Sequence, residues 1–297
     1  MRTTVRPIQW PTFLINLVFI ITSLGIVLPF LLVVSVSFTD EKSILNHGYQ
    51  FIPEVFSLAG YQVIFEAPIV LLRAYGVTTL ITVVGTTLSL LLTAMTGYVI
   101  SRSDYRYNRI ATFYIFFTML FSGGLVPFYI LITQYLHLKD SIWALIIPGL
   151  LNPFNIIVMR GFLSKIPTEI IESAKIDGAK EFRIFFTMIL PLAKPALATL
   201  GLFISFSYWN EWFNALLFID NHNLYTLQLL LVNVLSQIEF LLSQPEMMQA
   251  LHISVADLPN LSARMGMAVL VAGPMLCIFP FFQRYFVKGL TVGSLKG

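Results

Sequence analysis

The charged side chains, which could bind a partner or a ligand, are concentrated in one segment of this sequence, residues 166–195. Charged residues make up only 11% of the chain, yet eight of them fall here. They are Glu169, Glu172, Lys175, Asp177, Lys180, Glu181, Arg183 and Lys194. Apolar stretches long enough to cross a bilayer flank the segment on both sides, so it has to lie outside the hydrocarbon. This charged segment is expected to be either a water-exposed loop between two spans of a membrane protein or an amphipathic helix pair on the membrane surface.

The spacing inside the charged segment predicts two short helices joined by a sharp turn. Pro167 suits the first turn of a helix, and apolar residues then recur at helical spacing as far as Ala174. Asp177-Gly178 is a stop signal, because glycine adopts the left-handed conformation that ends helices. The second helix is predicted over 179–190. Its predicted apolar face consists of Phe182, Phe185, Phe186 and Ile189.

A second group of residues that could bind a ligand surrounds Glu211, in the run SYWNEWFNALLF. Glu211 falls inside a predicted span. Burial of a carboxylate in the membrane is energetically unfavourable, so such a group usually faces a water-filled cavity or a partner. Aromatic rings can stack on sugar faces, and amide or carboxylate groups can pair with hydroxyls. We therefore expect a translocation pathway lined by Tyr208, Asn210, Glu211 and Asn214. The alternative is that the aromatic residues mark a membrane interface.

The sequence does not indicate catalysis, a resident metal or nucleic-acid binding. It has no Gly-x-x-x-x-Gly-Lys-Ser/Thr motif for nucleotide phosphates, so we expect a chain without its own ATPase site. Its basic residues are scattered along short loops, unlike a nucleic-acid-binding patch. A single cysteine, Cys277, excludes an intrachain disulfide. The histidines fall in predicted outer loops without metal-ligand spacing, at positions His47, His137, His222 and His252.

Composition predicts an all-α integral membrane protein with six spans. Hydrophobic residues make up 57% of the 297 residues, and the mean hydropathy is +0.81. A six-span domain is predicted over 13–288, between short tails at 1–12 and 289–297. The spans are predicted at about 13–38, 75–100, 110–132, 141–159, 196–219 and 266–287. The leucine-rich stretch 226–243 is interpreted as an amphipathic helix on the outer side, because it carries several polar residues.

The distribution of lysine and arginine predicts the orientation of the chain. With six spans and both termini inside, most of the 18 basic residues fall on the cytoplasmic side. The exceptions are Lys42, Arg73, Lys139 and Arg264. A seventh span would place the basic carboxyl terminus outside, which the charge bias disfavours. The same orientation places the charged segment in the cytoplasm.

A spaced pattern in the charged segment carries a family resemblance. It consists of a Glu-small-Ala triplet, a glycine after three residues, and a hydrophobic residue followed by Leu-Pro. The matching positions are Glu172, Ser173, Ala174, Gly178, Met188, Leu190 and Pro191. This pattern resembles the signature cytoplasmic loop of ABC importer permease subunits, although Ser173 and Met188 depart from the usual Ala and Ile. The run IDGA at 176–179 is similar to the carbohydrate-uptake group.

The resemblance extends over roughly 29–297. The runs FSGGLVPFYILI at 121–132 and NPFNIIVMRGF at 152–162 look like a branch that handles complex oligosaccharides and polysaccharide fragments. The ending VKGLTVGSLKG is similar to permeases of the maltose type. For this chain the resemblance implies import of an oligosaccharide, such as a fragment of alginate, pectin or another glycan.

The resemblance also implies the fold, the partners and a docking surface. The fold is the type I ABC importer permease, in which the charged segment is a coupling-helix loop. Partners are a second homologous permease, two ATP-binding subunits that hold ATP and Mg, and an extracellular solute-binding protein in a bacterial cytoplasmic membrane. No cofactor is expected on this chain itself. The implied interface with the ATPase subunit consists of Glu169, Glu172, Ser173, Ala174, Asp177, Gly178 and Ala179.

One competing interpretation is a non-transporting membrane scaffold or sensor, and another is an ion-coupled secondary transporter. Such proteins place ionisable groups near the middle of the bilayer, and here only Glu211 is available. No inverted repeat is evident in the sequence.

Overall fold

The computed structural model describes residues 10–243 and 260–291, and these are mostly helical. No strand occurs in these two ranges beyond an isolated bridge between Thr39 and Phe56. The first helices are α1 (Trp10–Ser37), α2 (Glu41–His47), α3 (Ala59–Ile64), α4 (Pro68–Ser101), α5 (Asn108–Leu120) and α6 (Leu125–Ile130). Next come α7 (Trp143–Ile146), α8 (Pro153–Leu163), α9 (Thr168–Ile176), α10 (Glu181–Ile184) and α11 (Leu190–Leu192). The last are α12 (Lys194–Trp209), α13 (Phe213–Phe218), α14 (Leu227–Ser243) and α15 (Asn260–Thr291).

Six candidate membrane spans follow from these helices. Three stretches are long and apolar enough on their own: Thr12–Ser37, Pro68–Ser101 and Leu261–Pro280. Three bent pairs pass the same test: Asn108–Leu120 with Leu125–Tyr135, Trp143–Gly149 with Pro153–Leu163, and Glu181–Leu192 with Lys194–Trp209. With each bent pair counted as one span, the expected all-α, six-span fold is confirmed. The rest of the predicted tails, 1–9 and 292–297, lies outside the described residues.

Local sequence explains two of the three bends. Helices α5 and α6 meet at 112° after Gly124, whose φ of 88° is a conformation that suits glycine. Helix α7 continues into a 3₁₀ turn at Ile147–Gly149, and the chain bends by 47° between this turn and α8. Helix α8 then starts at Pro153 behind Asn152, whose side chain accepts hydrogen bonds from the next two free backbone amides.

The predicted fifth span, 196–219, is not one helix. Helix α12 ends at Trp209, and α13 begins at Phe213 after a short break. The carboxylate of Glu211 in that break accepts hydrogen bonds from the Asn214 backbone and side-chain nitrogens, both at 2.9 Å. A carboxylate that satisfies the first amides of a helix favours a new helix start at this point.

The described chain divides into two compact units. One consists of Met1–Pro68 and Asn233–Ala272. Within it, buried Glu41 accepts hydrogen bonds from the backbone nitrogens of Leu261 and Ser262 at 3.0 and 3.2 Å, and so caps the start of α15.

The other unit, Ile69–Val232 with Gly273–Gly297, holds the charged segment. Its core joins α4, α8, α9 and α12 with the α10–α11 region, and Tyr208 lies in it. The Tyr208 hydroxyl donates to the carbonyl of Ile146 at 2.9 Å. A Cβ added at Gly85 would lie 2.6 Å from the Tyr208 ring, so only glycine permits this approach.

Candidate functional site

Helix α9 of the charged segment has one face in the core and one face free. Ala174 is only 2% exposed and packs in the main core of the unit. Glu169, Glu172 and Ser173 are exposed on the opposite side, and Ile176 at the end of the helix is 86% exposed. The free face is therefore an acidic surface with an apolar tip, held from behind by buried apolar packing.

The turn after α9 is a Schellman motif. The Ala179 amide donates to the carbonyl of Ala174 at 2.9 Å, and the Gly178 amide donates to the carbonyl of Lys175 at 3.0 Å. Gly178 has a φ of 80°, and no atom lies within 4 Å of the position of an added Cβ. Glycine is therefore favoured at 178 by the backbone conformation alone. Asp177 is exposed at the turn, and Ala179 is half-buried against the core.

The second helix of the segment differs from its prediction. It begins at Glu181, two residues later than predicted, and contains a π-helical stretch at Phe185–Ile189. The wider π turn changes which side chains share a face. As a result, the predicted apolar face is wrong for two of its members, because Phe182 is 68% exposed and Phe186 is also exposed. The buried side chains are Ile184, Phe185 and Ile189.

Four alternating charges form a closed ring beside the turn, which we call the charge ring. Arg102 donates from Nε to Asp104 Oδ1 at 2.7 Å and from Nη1 to Glu181 Oε2 at 3.0 Å. The ammonium of Lys175 lies 3.2 Å from Asp104 Oδ2 and 3.0 Å from Glu181 Oε1. Each charge therefore contacts two of opposite sign, and the ring carries no net charge.

Tyr98 supports the charge ring from the core side. Its hydroxyl accepts a hydrogen bond from Arg102 Nη1 at 2.8 Å and donates to Glu181 Oε2 at 3.1 Å. The Tyr98 residue is 6% exposed, and its ring lies 5.5 Å from that of Phe185. A buried aromatic side chain thus fixes the position of one basic and one acidic member of the ring.

The electrostatics of the ring favour its ionised state. The guanidinium of Arg102 donates hydrogen bonds that hold the pKa of Asp104 well below its ordinary value, and Lys175 adds to the effect. The hydrogen bond to Glu181 raises the pKa of Lys175 above its ordinary value. The side chain of Arg102 is 12% exposed, whereas those of Lys175, Glu181 and Asp104 are 40–56% exposed. The ring is therefore a polar network at the surface with one well-buried member.

Two cavities adjoin the charge ring. A polar one of about 110 Å³ separates the 101–104 turn from α9, and Thr168, Glu172 and Lys175 contribute to its wall. An apolar one of about 360 Å³ is lined in part by Met95, Phe182 and three members of the ring, Arg102, Asp104 and Glu181. Exposed Phe182 thus borders a cavity rather than packing in the core.

The predicted pathway residues lie around the break between α12 and α13. Tyr208 is 4% exposed and faces the core of its own unit. Asn210 is exposed, and its side-chain oxygen Oδ1 accepts a hydrogen bond from Nε2 of Gln228 at 2.7 Å. Glu211 and Asn214 are half-buried and bonded to each other. Of the four predicted pathway residues, Asn210 is the exposed one, and its side-chain nitrogen donates to the carbonyl of Phe206 at 2.8 Å.

Sequence reasoning missed the charge ring. Lys175 and Glu181 belong to the charged segment, but Tyr98, Arg102 and Asp104 are not among the residues that the sequence predicts to form a site. The available signals were local: Tyr98 lies in the last turn of α4, Arg102 follows it by four residues just past the end of the helix, and Asp104 comes two residues later. Among the described residues, no group of three or more His, Cys, Asp or Glu side chains could hold a metal ion.

Comparison with known proteins identifies relatives of the chain. Residues 85–292 match the protein family described as binding-protein-dependent transport system inner membrane component. Protein LplC of Bacillus subtilis (strain 168) is 36% identical over 271 residues, which cover 91% of this chain and 90% of that protein. The polygalacturonan/rhamnogalacturonan transport system permease protein YtcP of the same organism is 37% identical, over 91% of this chain and 93% of its own.

A solved structure shares the fold. It is the crystal structure of a bacterial ABC transporter involved in the import of the acidic polysaccharide alginate. One of its chains superposes with a TM-score of 0.79 at 27% identity, covering 96% of this chain and 100% of that one.

Proposed function

The chain belongs to the family of binding-protein-dependent transport system inner membrane components, and we propose the following mode of action for it as the permease of an ABC sugar importer. In this proposal it moves a polysaccharide-derived oligosaccharide through the membrane. Transport is driven by a separate ATPase, which docks on the charged segment. The observation that carries the proposal is the two-sided α9, with Ala174 buried in the core and Glu169, Glu172 and Ser173 exposed.

The exposed face of α9 is the proposed docking surface for the ATP-binding subunit. Glu169 and Glu172 offer carboxylates for basic groups of the partner, and Ile176 offers an apolar tip. Asp177 and Gly178 extend this surface at the turn. Ala174 and Ala179 support it from behind rather than by direct contact, because they pack against the core.

Transmission of force needs a rigid connection. Moving a conformational equilibrium from 1:99 to 99:1 takes about 5.5 kcal/mol of differential binding. A loosely tethered loop would absorb a displacement without passing it on. Helix α9 has the buried packing and the Schellman turn that rigidity requires, so closure of the ATPase dimer can displace the spans.

The proposed complex has two permeases, two ATP-binding subunits that hold ATP and Mg, and an extracellular solute-binding protein. Both termini of this chain and the charged segment face the cytoplasm, in agreement with the distribution of basic residues. The substrate is an oligosaccharide of the kind released from alginate, pectin or another glycan. This class is supported by the substrates of the relative YtcP, which are polygalacturonan and rhamnogalacturonan, and by the alginate that the matching transporter imports. Asn210, Glu211 and Asn214 are the proposed pathway residues.

Reconstitution tests the proposal. The complete complex in proteoliposomes should take up oligogalacturonate or alginate oligosaccharides under one condition. ATP has to be present on the membrane side that carries the ATPase subunits, and the binding protein has to be present on the opposite side. Uptake driven by an ion gradient without nucleotide would instead indicate a secondary transporter. Co-purification should recover an ATPase and a second permease, and a purified chain without these partners would count against the assembly.

A further inference from the structure

The charge ring joins the end of α4 to two neighbouring helix ends that lie more than 70 residues later in the chain. Arg102 and Asp104 follow the last turn of α4, Lys175 lies in the last turn of α9, and Glu181 opens α10. Contacts within the ring bridge 71 residues between Lys175 and Asp104, and 79 between Arg102 and Glu181. The ring therefore fastens both sides of the Gly178 turn to the end of one long helix.

We propose that the charge ring is a latch that transmits movement of the charged segment to α4. This inference rests on the proposed function and adds a second route for force. The first route is the covalent chain, which leads from α9 through α10 and α11 into α12. The second is the ring, which makes the end of α4 move with α9. Tyr98, Arg102, Asp104, Lys175 and Glu181 are positioning residues, because they act through α9 rather than on the substrate.

The arrangement of charges suits a latch better than it suits docking. All four ring members already have partners within the chain, so their charges are neutralised before any ATPase binds. The docking carboxylates Glu169 and Glu172 are exposed outside the ring. The two functions therefore use different residues of one helix, and they can be tested separately.

The expected strength of the latch is modest and measurable. A single exposed ion pair changes an equilibrium by about two- to fivefold, and networks of several charges contribute more reliably than isolated pairs. Burial of Arg102 and Tyr98 limits the competition from water at one side of the ring. Loss of one ring member should therefore loosen α9 without unfolding it.

The test compares Glu181→Gln with wild type in the complete, reconstituted complex. Gln keeps the shape of the side chain but opens the ring at two contacts. We expect the number of ATP molecules hydrolysed per sugar imported to rise about two- to fivefold, with unchanged recovery of the ATPase subunit. The matched control is Glu66→Gln, an exposed carboxylate in the other unit, for which the ratio should stay at the wild-type value.

A second pair of variants guards against misfolding. Lys175→Met should raise the same ratio and speed amide hydrogen exchange over 168–176, whereas Lys175→Arg should restore both towards wild type. A wild-type ratio in Glu181→Gln and Lys175→Met would overturn the latch while leaving the proposed function intact. Failure of the wild-type complex to import sugar with ATP would overturn the proposed function itself. A fall in uptake and hydrolysis in equal proportion would indicate mere destabilisation and would also contradict the latch.

Discussion

The turn at Gly178 offers a graded test of the coupling role of α9. We consider replacement by Asn, Ala and Val. All three side chains have room, because no atom lies within 4 Å of an added Cβ. The backbone φ of 80° is the one obstacle that the structure presents to them.

The magnitude follows from the backbone conformation. An L-residue in the left-handed region is disfavoured by roughly 1–2 kcal/mol, which corresponds to a change of about 5- to 30-fold in the population of the turn. Asn tolerates this region better than Ala, and β-branched Val tolerates it least. The expected order of coupling is therefore Gly, Asn, Ala and Val, although Asn is larger than Ala.

The assay is the ratio of ATP hydrolysed to sugar imported in proteoliposomes, with assembly of the complex measured in parallel. Uptake should fall along the series while the ATPase activity persists, because α9 still binds the partner but no longer holds its angle. A worse result for Asn than for Ala would show that side-chain volume decides, and it would refute the reasoning from φ. Unchanged uptake in the Val variant would refute the role of this turn in coupling ATP hydrolysis to transport.

Further predictions concern docking, packing and pH. Glu172→Lys should weaken binding of the ATPase subunit, and co-purification at wild-type yield would contradict that role. Gly85→Ala should destabilise the core by about 1–3 kcal/mol because the new Cβ overlaps the ring of Tyr208, and Tyr208→Leu should restore part of the loss in thermal unfolding. The lowered pKa of Asp104 means that its contribution is lost only as the pH falls through the folded value, below the ordinary 3.8. The raised pKa of Lys175 means that its contribution to stability is lost only as the pH rises above the ordinary 10.5. Both residues therefore stay charged between about pH 5 and 9, and the amide hydrogen exchange of α9, corrected for intrinsic rates, should not change with pH in this range.

Features with a local cause could be predicted from the sequence. The six candidate spans follow from long apolar runs, and the end of α9 follows from the Asp177-Gly178 pair. The break after α5 follows from Gly124 and its neighbours. In each case the physical cause lies within a few residues, so no tertiary information is needed.

The charge ring could not be predicted in the same way. Its partners lie 71 and 79 residues apart, and the sequence does not reveal which acidic residue meets which basic one. Only the packing of α9 and α10 against α4 brings them together. The charged segment by itself therefore contains the charges but does not determine their pairing.

Hydrophobicity misled the prediction in two places. Averaging over 196–219 concealed the break at Glu211, where a capping carboxylate outweighs the apolar composition of the window. The assumption that aromatic residues on one helix are buried together failed for Phe182 and Phe186. In a membrane protein, lipid or a partner subunit can cover such residues, so apolar character does not imply burial in the same chain.

The most direct test of the central claim uses vesicles with defined contents. The complete complex, with the binding protein on one side and ATP available to the ATPase subunits on the other, should accumulate the oligosaccharide in proportion to ATP hydrolysed. Vesicles that contain this chain alone should accumulate none. Accumulation by the chain alone, without nucleotide, would contradict the account.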